Sequence, residues 1–307
     1  MAPADPSRLL RWYPPAWRDR YGEDFMAYMH DSFGPGRPPL AARLSVVAGG
    51  LRERARRSGL TGDSVAPPDR IRAAILAVLA SWTAMAVAGC ALAKMAEHYD
   101  AALPRGARGV PDGSFTAVQV AAGIGALAVL VGAAAAVPAL VRYLRGGGWA
   151  AIRGHGWRAG GCSLLAAGAT AGLAVWAHHL DAHQRSGGSV AYSAAFVAWG
   201  VLVAVALVSW TVLAVAAARR VTFSRPVLAA EAGLAVTVTF AMVVVQVASV
   251  AWWAAMARRA PAFLTGDPHS AVDLRLVAVM ALMGLGAVGA TAGSIRIGRD
   301  LPAWRRG

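Results

Sequence analysis

Four side chains of the types that bind metal ions lie close together in the segment Trp-Ala-His-His-Leu-Asp-Ala-His. They are His178, His179, Asp181 and His183. If the segment is helical, His179 and His183 lie one turn apart on one face, where two imidazoles can share an ion. His178 and Asp181 then form a second pair three residues apart. The pattern predicts a divalent metal site, for which zinc is a typical occupant.

Two alternatives to a metal site stay open for this cluster. Five of the seven histidines fall on one side of the topology derived below, because His98 and His269 join the cluster. Such a group could respond to pH, since histidine titrates near neutrality. Alternatively, these residues only provide the polar end that every transmembrane helix needs. No other cofactor is predicted.

The common catalytic motifs are missing from the sequence. His-Glu-x-x-His, Gly-x-Ser-x-Gly and zinc-type cysteine pairs do not occur. The run Gly146–Gly148 lacks the Gly-Lys-Ser/Thr ending of a phosphate-binding loop, so we interpret it as an interfacial loop. We assign no catalytic residues, and a non-enzymatic function is favoured over an enzymatic one.

Ionisable groups are scarce within the apolar part of the chain, where transporters and proton relays usually keep one. Lys94 and Glu231 fall near the ends of apolar stretches. Gln246 is the only long polar side chain near the centre of one. It either makes a hydrogen bond between helices or lines a pathway.

The composition places the chain in a membrane. Of its 307 residues, 57% are hydrophobic and only 15% are charged, which is too apolar for a water-soluble domain of this size. Six apolar stretches each approach the roughly 20 residues that a helix needs to cross a hydrocarbon core. They lie at about 73–96, 116–141, 161–180, 190–217, 229–256 and 274–295. The prediction is an all-α fold, a six-helix transmembrane bundle.

The distribution of arginine orients this bundle. Segment 142–160, the turn near Arg220 and the tail from Arg296 are rich in arginine, whereas the alternate connections hold fewer basic residues, mostly balanced by acids. The positive-inside rule makes the arginine-rich side cytoplasmic. Both termini are therefore predicted in the cytoplasm of a multi-pass protein of the cell membrane. The net charge of +14 follows from topology rather than from nucleic-acid binding.

Residues 1–70 differ from the rest and are predicted to be a cytoplasmic amphipathic helical hairpin with a linker. No run in this segment is apolar enough for a signal peptide, so we expect it to be retained. Apolar residues recur at helical spacing in 16–33 and 40–57, on either side of a Gly-Pro-Gly-Arg-Pro-Pro break. The bundle then covers 71–297, and 298–307 form a cytoplasmic basic tail.

Two main roles are open for the hairpin. Arginines beside an apolar stripe suit an anionic membrane surface. Alternatively, the aromatics Trp17, Tyr21, Phe25 and Phe33 form a small core or a docking surface for a protein. Twelve arginines against eight acids through Arg72 are too balanced for a dedicated nucleic-acid binder, so DNA contact is the least favoured role.

The stretch Tyr13-Pro-Pro-Ala-Trp-Arg-Asp-Arg-Tyr-Gly-Glu-Asp-Phe25, followed by Arg37-Pro-Pro-Leu and Leu51-Arg-Glu-Arg, resembles the N-terminal segment of a group of poorly characterised actinobacterial multi-pass membrane proteins. The resemblance covers about the first 57 residues, and the transmembrane part matches only in general hydropathy. It implies a cytoplasmic module attached to a membrane region, with no catalytic residues to carry over.

Together these features favour a non-enzymatic regulatory or accessory membrane protein. Its expected partners are the lipid bilayer and a cytoplasmic protein bound through residues 1–57. A transporter or permease subunit is the alternative, motivated by the number of helices and by Gln246. A metal-binding membrane enzyme or sensor, using the cluster from His178 to His183, is a third possibility.

Overall fold

The structure is a computed structural model that describes residues 7–34, 38–57, 66–97, 99–181, 189–265 and 274–306. Every regular element in these ranges is a helix. The all-α prediction is therefore confirmed for this part of the chain. Two compact units are present, Met1–Ala73 and Ala74–Gly307.

The first unit contains the helices α1 (Ser7–Leu10), α2 (Pro15–Phe33) and α3 (Leu40–Arg57). Pro15 occupies the first helical position of α2, where its missing N–H costs nothing. The helix ends at Gly34, whose positive φ of 61° favours glycine. The short α1 contacts both longer helices. That α2 and α3 pack on each other as a hairpin stays a prediction.

The remaining helices are long, except for the five-residue α9. They are α4 (Pro67–Met95), α5 (Gly109–Tyr143), α6 (Trp149–His178), α7 (Val190–Ala218), α8 (Arg225–Arg259), the short α9 (Pro261–Thr265) and α10 (Leu274–Arg306). Two 3₁₀ turns, Tyr99–Ala102 and Arg105–Ala107, connect α4 to α5.

Five helical segments in the described residues are long and apolar enough to cross a membrane. One of them is the 70-residue stretch Gly109–His178, which joins α5 and α6 through a π-helical turn at Leu144–Gly148. Gly147 in this turn has φ 85°, a left-handed conformation that glycine adopts without strain. The helical axis is interrupted there.

The helix α8 lies at the centre of the second unit. It packs against α5 on one side and against α10 on another, whereas α6 packs mainly against α7. The Oγ1 atoms of Thr83 on α4 and Thr211 on α7 lie 2.7 Å apart. Almost none of the apolar window of α7 is buried. An apolar surface of this extent is stable in lipid and not in water.

Two glycine pairs with the same four-residue spacing have different surroundings. A Cβ atom added to Gly293 of α10 would lie 2.8 Å from Val78 of α4, and one on Gly289 would lie 2.6 Å from the Ser81 hydroxyl. At Gly168 and Gly172 of α6, no neighbouring atom lies within 4 Å. Of these two pairs, only the α10 pair therefore allows a close helix approach within the described chain.

Two predicted connections are more helical than the sequence indicated. Residues 298–306, predicted as a tail, continue α10 to Arg306. The connection 142–160 is reduced to the π turn, because α6 begins at Trp149. Hydropathy marks where lipid contact ends, whereas a helix continues as long as its backbone bonds form, and arginine is a good helix former.

Candidate functional site

One side of α8 carries a line of polar groups through the apolar interior of the second unit. The α8 polar line consists of Glu231, Thr239, Gln246, Ser249 and Trp252. Successive spacings of eight, seven, three and three residues keep these residues on one side of a 3.6-residue helix. The first and last are about 31 Å apart along the axis, close to the thickness of a hydrocarbon core.

Thr239, in the middle of the line, is hydrogen-bonded. Its Oγ1 lies 2.7 Å from Ser294 Oγ of α10 and 3.0 Å from the Ala235 carbonyl oxygen one turn earlier. The side chain therefore links α8 to α10 and also donates a hydrogen bond to a carbonyl oxygen of its own helix. This residue is a structural contact.

The other four positions each contain a buried polar atom with no hydrogen-bond partner among the described residues. These atoms are Glu231 Oε1, Gln246 Oε1, Ser249 Oγ and Trp252 Nε1. Leaving one such atom unsatisfied costs about 1–3 kcal/mol. Unpaired groups of this kind require a reason, such as a ligand or an ordered water molecule.

Glu231 packs closely against α5. A Cβ atom on Gly132 of α5 would lie 2.8 Å from Glu231 Oε2, so the carboxyl group packs against the α5 backbone. A larger residue at position 132 would have to displace this carboxyl group. The sequence did not reveal this contact, because hydropathy gives the depth of a residue and not its neighbour.

Gln246 lies against α10, because its Nε2 would be 3.7 Å from a Cβ atom on Gly284. Its Oε1 accepts no hydrogen bond from a described residue. The predicted interhelical hydrogen bond is therefore not seen for this oxygen. The pathway interpretation stays a prediction.

A cavity of about 210 Å³ lies at the end of the line where α4 and α8 end and α10 begins. Its lining consists of Met95, Trp252, Phe263, Leu264, Arg275 and Leu276. Trp252 is 1% exposed, and its ring packs edge-on against Tyr99 at 5.7 Å between centroids. Among the described residues, this lining is apolar apart from the indole ring of Trp252 and the side chain of Arg275.

Tyr99 holds the adjacent turn in place. Its hydroxyl donates a hydrogen bond of 2.9 Å to Asp112 Oδ1 at the start of α5. Burial, followed by this bond, raises the pKa of Tyr99 to about 12. The phenol is therefore neutral and able to donate throughout the physiological pH range.

The predicted metal cluster is only partly visible. His178 is the last residue of α6, and His179 and Asp181 follow it as exposed residues. His183 lies outside the described residues. The helix does not continue through the described part of this segment, so the one-turn spacing is not seen. Within the described ranges, no group of three or more His, Cys, Asp or Glu could hold a metal ion; the site stays a prediction.

No protein-family model, curated protein or solved structure matches the chain. The relation to the actinobacterial group therefore stays a resemblance of the N-terminal segment. We infer the function from the geometry of the chain itself.

The first unit contains a cluster of half-buried aromatic side chains. Tyr13 stacks on Trp17 with 3.9 Å between ring centroids, and Phe25 lies 5.9 Å from Trp17. Tyr21 extends the cluster on the outside, 5.4 Å from Trp17. Positions 17, 21 and 25 lie one turn apart on α2. Burial, followed by the charge of Glu53, raises the pKa of Tyr13.

The helix α3 packs closely against the backbone next to this cluster. A Cβ atom on Gly50 would lie 2.8 Å from the Trp12 backbone. Arg54 donates from Nε to the Trp12 carbonyl oxygen at 2.6 Å and from Nη2 to that of Arg11 at 2.7 Å. These bonds satisfy carbonyl groups that follow the short α1. The sequence analysis missed this contact, for which the adjacent pair Gly49-Gly50 is the available signal.

The opposite side of α3 is apolar and open. Leu40, Leu44 and Leu51, the α3 stripe, are 66%, 60% and 49% exposed. Arg43 and Arg52 lie beside the stripe. Spacings of four and seven residues place the three leucines on one helical face. This face is suited to an apolar surface with an acidic border.

Proposed function

We propose that the chain is a regulatory or accessory protein of the cell membrane, without enzymatic activity, that binds a cytoplasmic protein through its first unit. The observation that carries the proposal is the α3 stripe on a unit that has its own aromatic cluster. A unit that packs its aromatics on one another but exposes three leucines has a surface available for docking.

The proposal includes six membrane crossings. A straight helix of 70 residues, the length of Gly109–His178, would be about 105 Å long, far more than a core of about 30 Å. The interruption at Gly147 supports two crossings, α5 and α6. With α4, α7, α8 and α10 the total is six, which brings both termini to one side.

The distribution of arginine supports a cytoplasmic position for that side. Arg145, Arg220 and Arg299 fall near the ends of crossings on the side that both termini share. The first unit, in a hairpin arrangement of α2 and α3, would then meet cytoplasmic proteins.

Site-directed photo-crosslinking tests the docking proposal. The full chain, in its native membranes, carries a photoreactive amino acid at Leu44 in one variant and at Glu23 in a control. Glu23 is also exposed and lies on α2. We expect a protein adduct from position 44 that is absent from position 23 and is lost when Leu40→Glu is added. Adducts to lipid alone at position 44 would refute a protein partner.

A second candidate function is transport, favoured by the α8 polar line. Unpaired polar atoms recur over the thickness of a hydrocarbon core, and Glu231 adds an ionisable group, which in a membrane usually marks a pathway. A solute or proton would pass along this side of α8.

Flux measurements in proteoliposomes test transport. The Glu231→Gln and Gln246→Leu variants are expected to reduce proton or solute flux at least tenfold. Thr237→Val is the matched control, because Thr237 lies on α8, is exposed and bonds only to its own helix at Gly233. Equal flux in all three variants, or none in the unaltered chain, would rule out this candidate.

A further inference from the structure

One face of α6 places an exposed arginine between two exposed tryptophans. Trp149, Arg153 and Trp157 follow one another at intervals of four residues, so they lie on the same side of the helix. The two indole rings are 46% and 75% exposed, and Arg153 is exposed as well. The buried residues of this part of α6, Ile152 and Ala159, lie on another side. The three large side chains are therefore accessible to a ligand from outside the chain.

The positive charge of this face is not neutralised within the described chain. Arg153 makes no hydrogen bond or ion pair with a described residue, and the same is true of Arg145 nearby. Arg108 of the same unit, by contrast, is 3.8 Å from Asp100. No Asp or Glu occurs in the sequence from 113 to 180. Arg153 is therefore available to an anion.

The end of α7 brings another arginine to the same level. Arg153 lies ten residues before Ser163, and Arg219 lies nine residues after Trp210, which corresponds to about 15 Å and about 14 Å along the helices. The helices α6 and α7 are antiparallel, as shown by two hydrogen bonds of 2.8 Å, from Trp210 to Ser163 and from Trp199 to Thr170. Arg153 and Arg219 are thus within about one helical turn of each other in depth.

The depth of Arg153 corresponds to that of a phospholipid headgroup. The helix α6 has 30 residues and is about 45 Å long, about 15 Å more than a hydrocarbon core. With this excess shared equally between its ends, the core begins about 7 Å from Trp149. Arg153 lies about 6 Å and Trp157 about 12 Å from Trp149 along the axis. The guanidinium group is therefore at headgroup level, and Trp157 is where acyl chains begin.

Below Trp157 the same side of α6 is apolar and open. Leu164 is 76% exposed. A Cβ atom added to Gly160, Gly161 or Gly168 would meet no atom within 4 Å. An alkyl chain can therefore lie close to the α6 backbone beside Leu164. A ligand that uses both parts of this face must combine an anion with an alkyl chain.

We propose that this face of α6 binds an anionic phospholipid. Its phosphate group lies beside Arg153, between the rings of Trp149 and Trp157, and one acyl chain lies along Leu164. The positive-inside rule accounts for arginine at this end of the helix, but it requires neither the flanking tryptophans nor the open surface below them. The inference is independent of the proposed regulatory function, because it concerns the second unit alone and holds for either orientation in the membrane.

Two photoactivatable lipids test the proposal. The full chain is placed in nanodiscs of phosphatidylcholine that contain a small proportion of photoactivatable phosphatidylglycerol or, in a parallel sample, photoactivatable phosphatidylcholine. Labelled peptides are mapped by mass spectrometry. We expect peptides from 149–168 to be labelled at least tenfold more by the anionic probe than by the zwitterionic one. Excess inorganic phosphate should not displace the anionic probe, because it has no alkyl chain.

Variants of Arg153 separate the site from general lipid contact. Arg153→Gln should lower the ratio of anionic to zwitterionic labelling about fivefold, because one basic residue near the membrane surface has an effect of this size. Arg153→Lys keeps the charge and should preserve most of the ratio. Arg299→Gln is the matched control, since Arg299 is also exposed, lies near an end of α10 and is followed by Asp300. It should leave the ratio for 149–168 unchanged.

Several results would overturn the proposal. Equal labelling of 149–168 by the two probes, or anionic labelling spread evenly over the lipid-facing helices, would show unselective contact with lipid. Displacement of the anionic probe by inorganic phosphate would indicate a site for a simple anion. An unchanged ratio in Arg153→Gln would exclude the headgroup contact. This last result is interpretable because Arg153 is exposed and has no partner among the described residues that its replacement would disturb.

Discussion

Replacing Gly50 by alanine tests whether the first unit is held together as described. The new Cβ atom would lie 2.8 Å from both the carbonyl carbon and the Cβ of Trp12. The carbonyl carbon belongs to the backbone, so the contact cannot be relieved by rotating a flexible side chain. Overpacking of this kind costs about 1–3 kcal/mol. Alanine also gains about 1 kcal/mol over glycine in a helix.

Gly22→Ala is the matched control. Gly22 lies within α2, and a Cβ atom there would have no neighbour within 4 Å. The change should therefore yield only the helix gain of about 1 kcal/mol. Both variants exchange glycine for alanine within a helix, and of the two only Gly50→Ala brings a Cβ atom against Trp12. The expected difference in stability between them is about 1–3 kcal/mol.

Hydrogen exchange of the full chain in nanodiscs measures this difference locally. Amides of α3 should exchange about five- to one-hundredfold faster in Gly50→Ala than in Gly22→Ala, because each 1.4 kcal/mol changes an equilibrium tenfold. Amides of α8 serve as an internal reference and should be unchanged. Equal protection of α3 in the two variants would refute the packing of α3 on Trp12.

Three further predictions concern the second unit. The folded chain raises the pKa of Tyr99 to about 12. Its neutral phenol therefore contributes to stability below about pH 10, the ordinary pKa of tyrosine, and this contribution is lost as the pH rises toward 12. The fall in unfolding temperature above pH 10 should be smaller in Tyr99→Phe. Gly293→Ala should lower thermal stability by about 1–3 kcal/mol through its contact with Val78, whereas Gly168→Ala should not lower it; equal effects would contradict the packing of α4 on α10. If the predicted metal site exists, protein purified after zinc supplementation should carry about one zinc per chain, detected by mass spectrometry, and His179→Ala should lose it; metal-free unaltered protein would end that prediction.

The sequence alone was enough to locate the apolar parts of the long helices. The stretches predicted at 229–256 and 190–217 correspond to Arg225–Arg259 and Val190–Ala218. The free energy of transferring a segment into lipid is nearly the sum of contributions from its own side chains. The local sequence therefore predicts which segments enter the membrane. The aromatic spacing in α2 is equally local, because positions one turn apart lie on one face.

Only the tertiary structure decided which polar and small residues meet. Two glycine pairs had the same spacing, but Gly289 and Gly293 contact α4 whereas Gly168 and Gly172 contact nothing within 4 Å. Likewise, hydropathy could not place Glu231 beside Gly132 or bring Met95 and Trp252 to one cavity. Lipid is as apolar as the helix surfaces, so burial gives no preference for one face over another. Shape and hydrogen bonding select the faces that pack, and these depend on residues far apart in the chain.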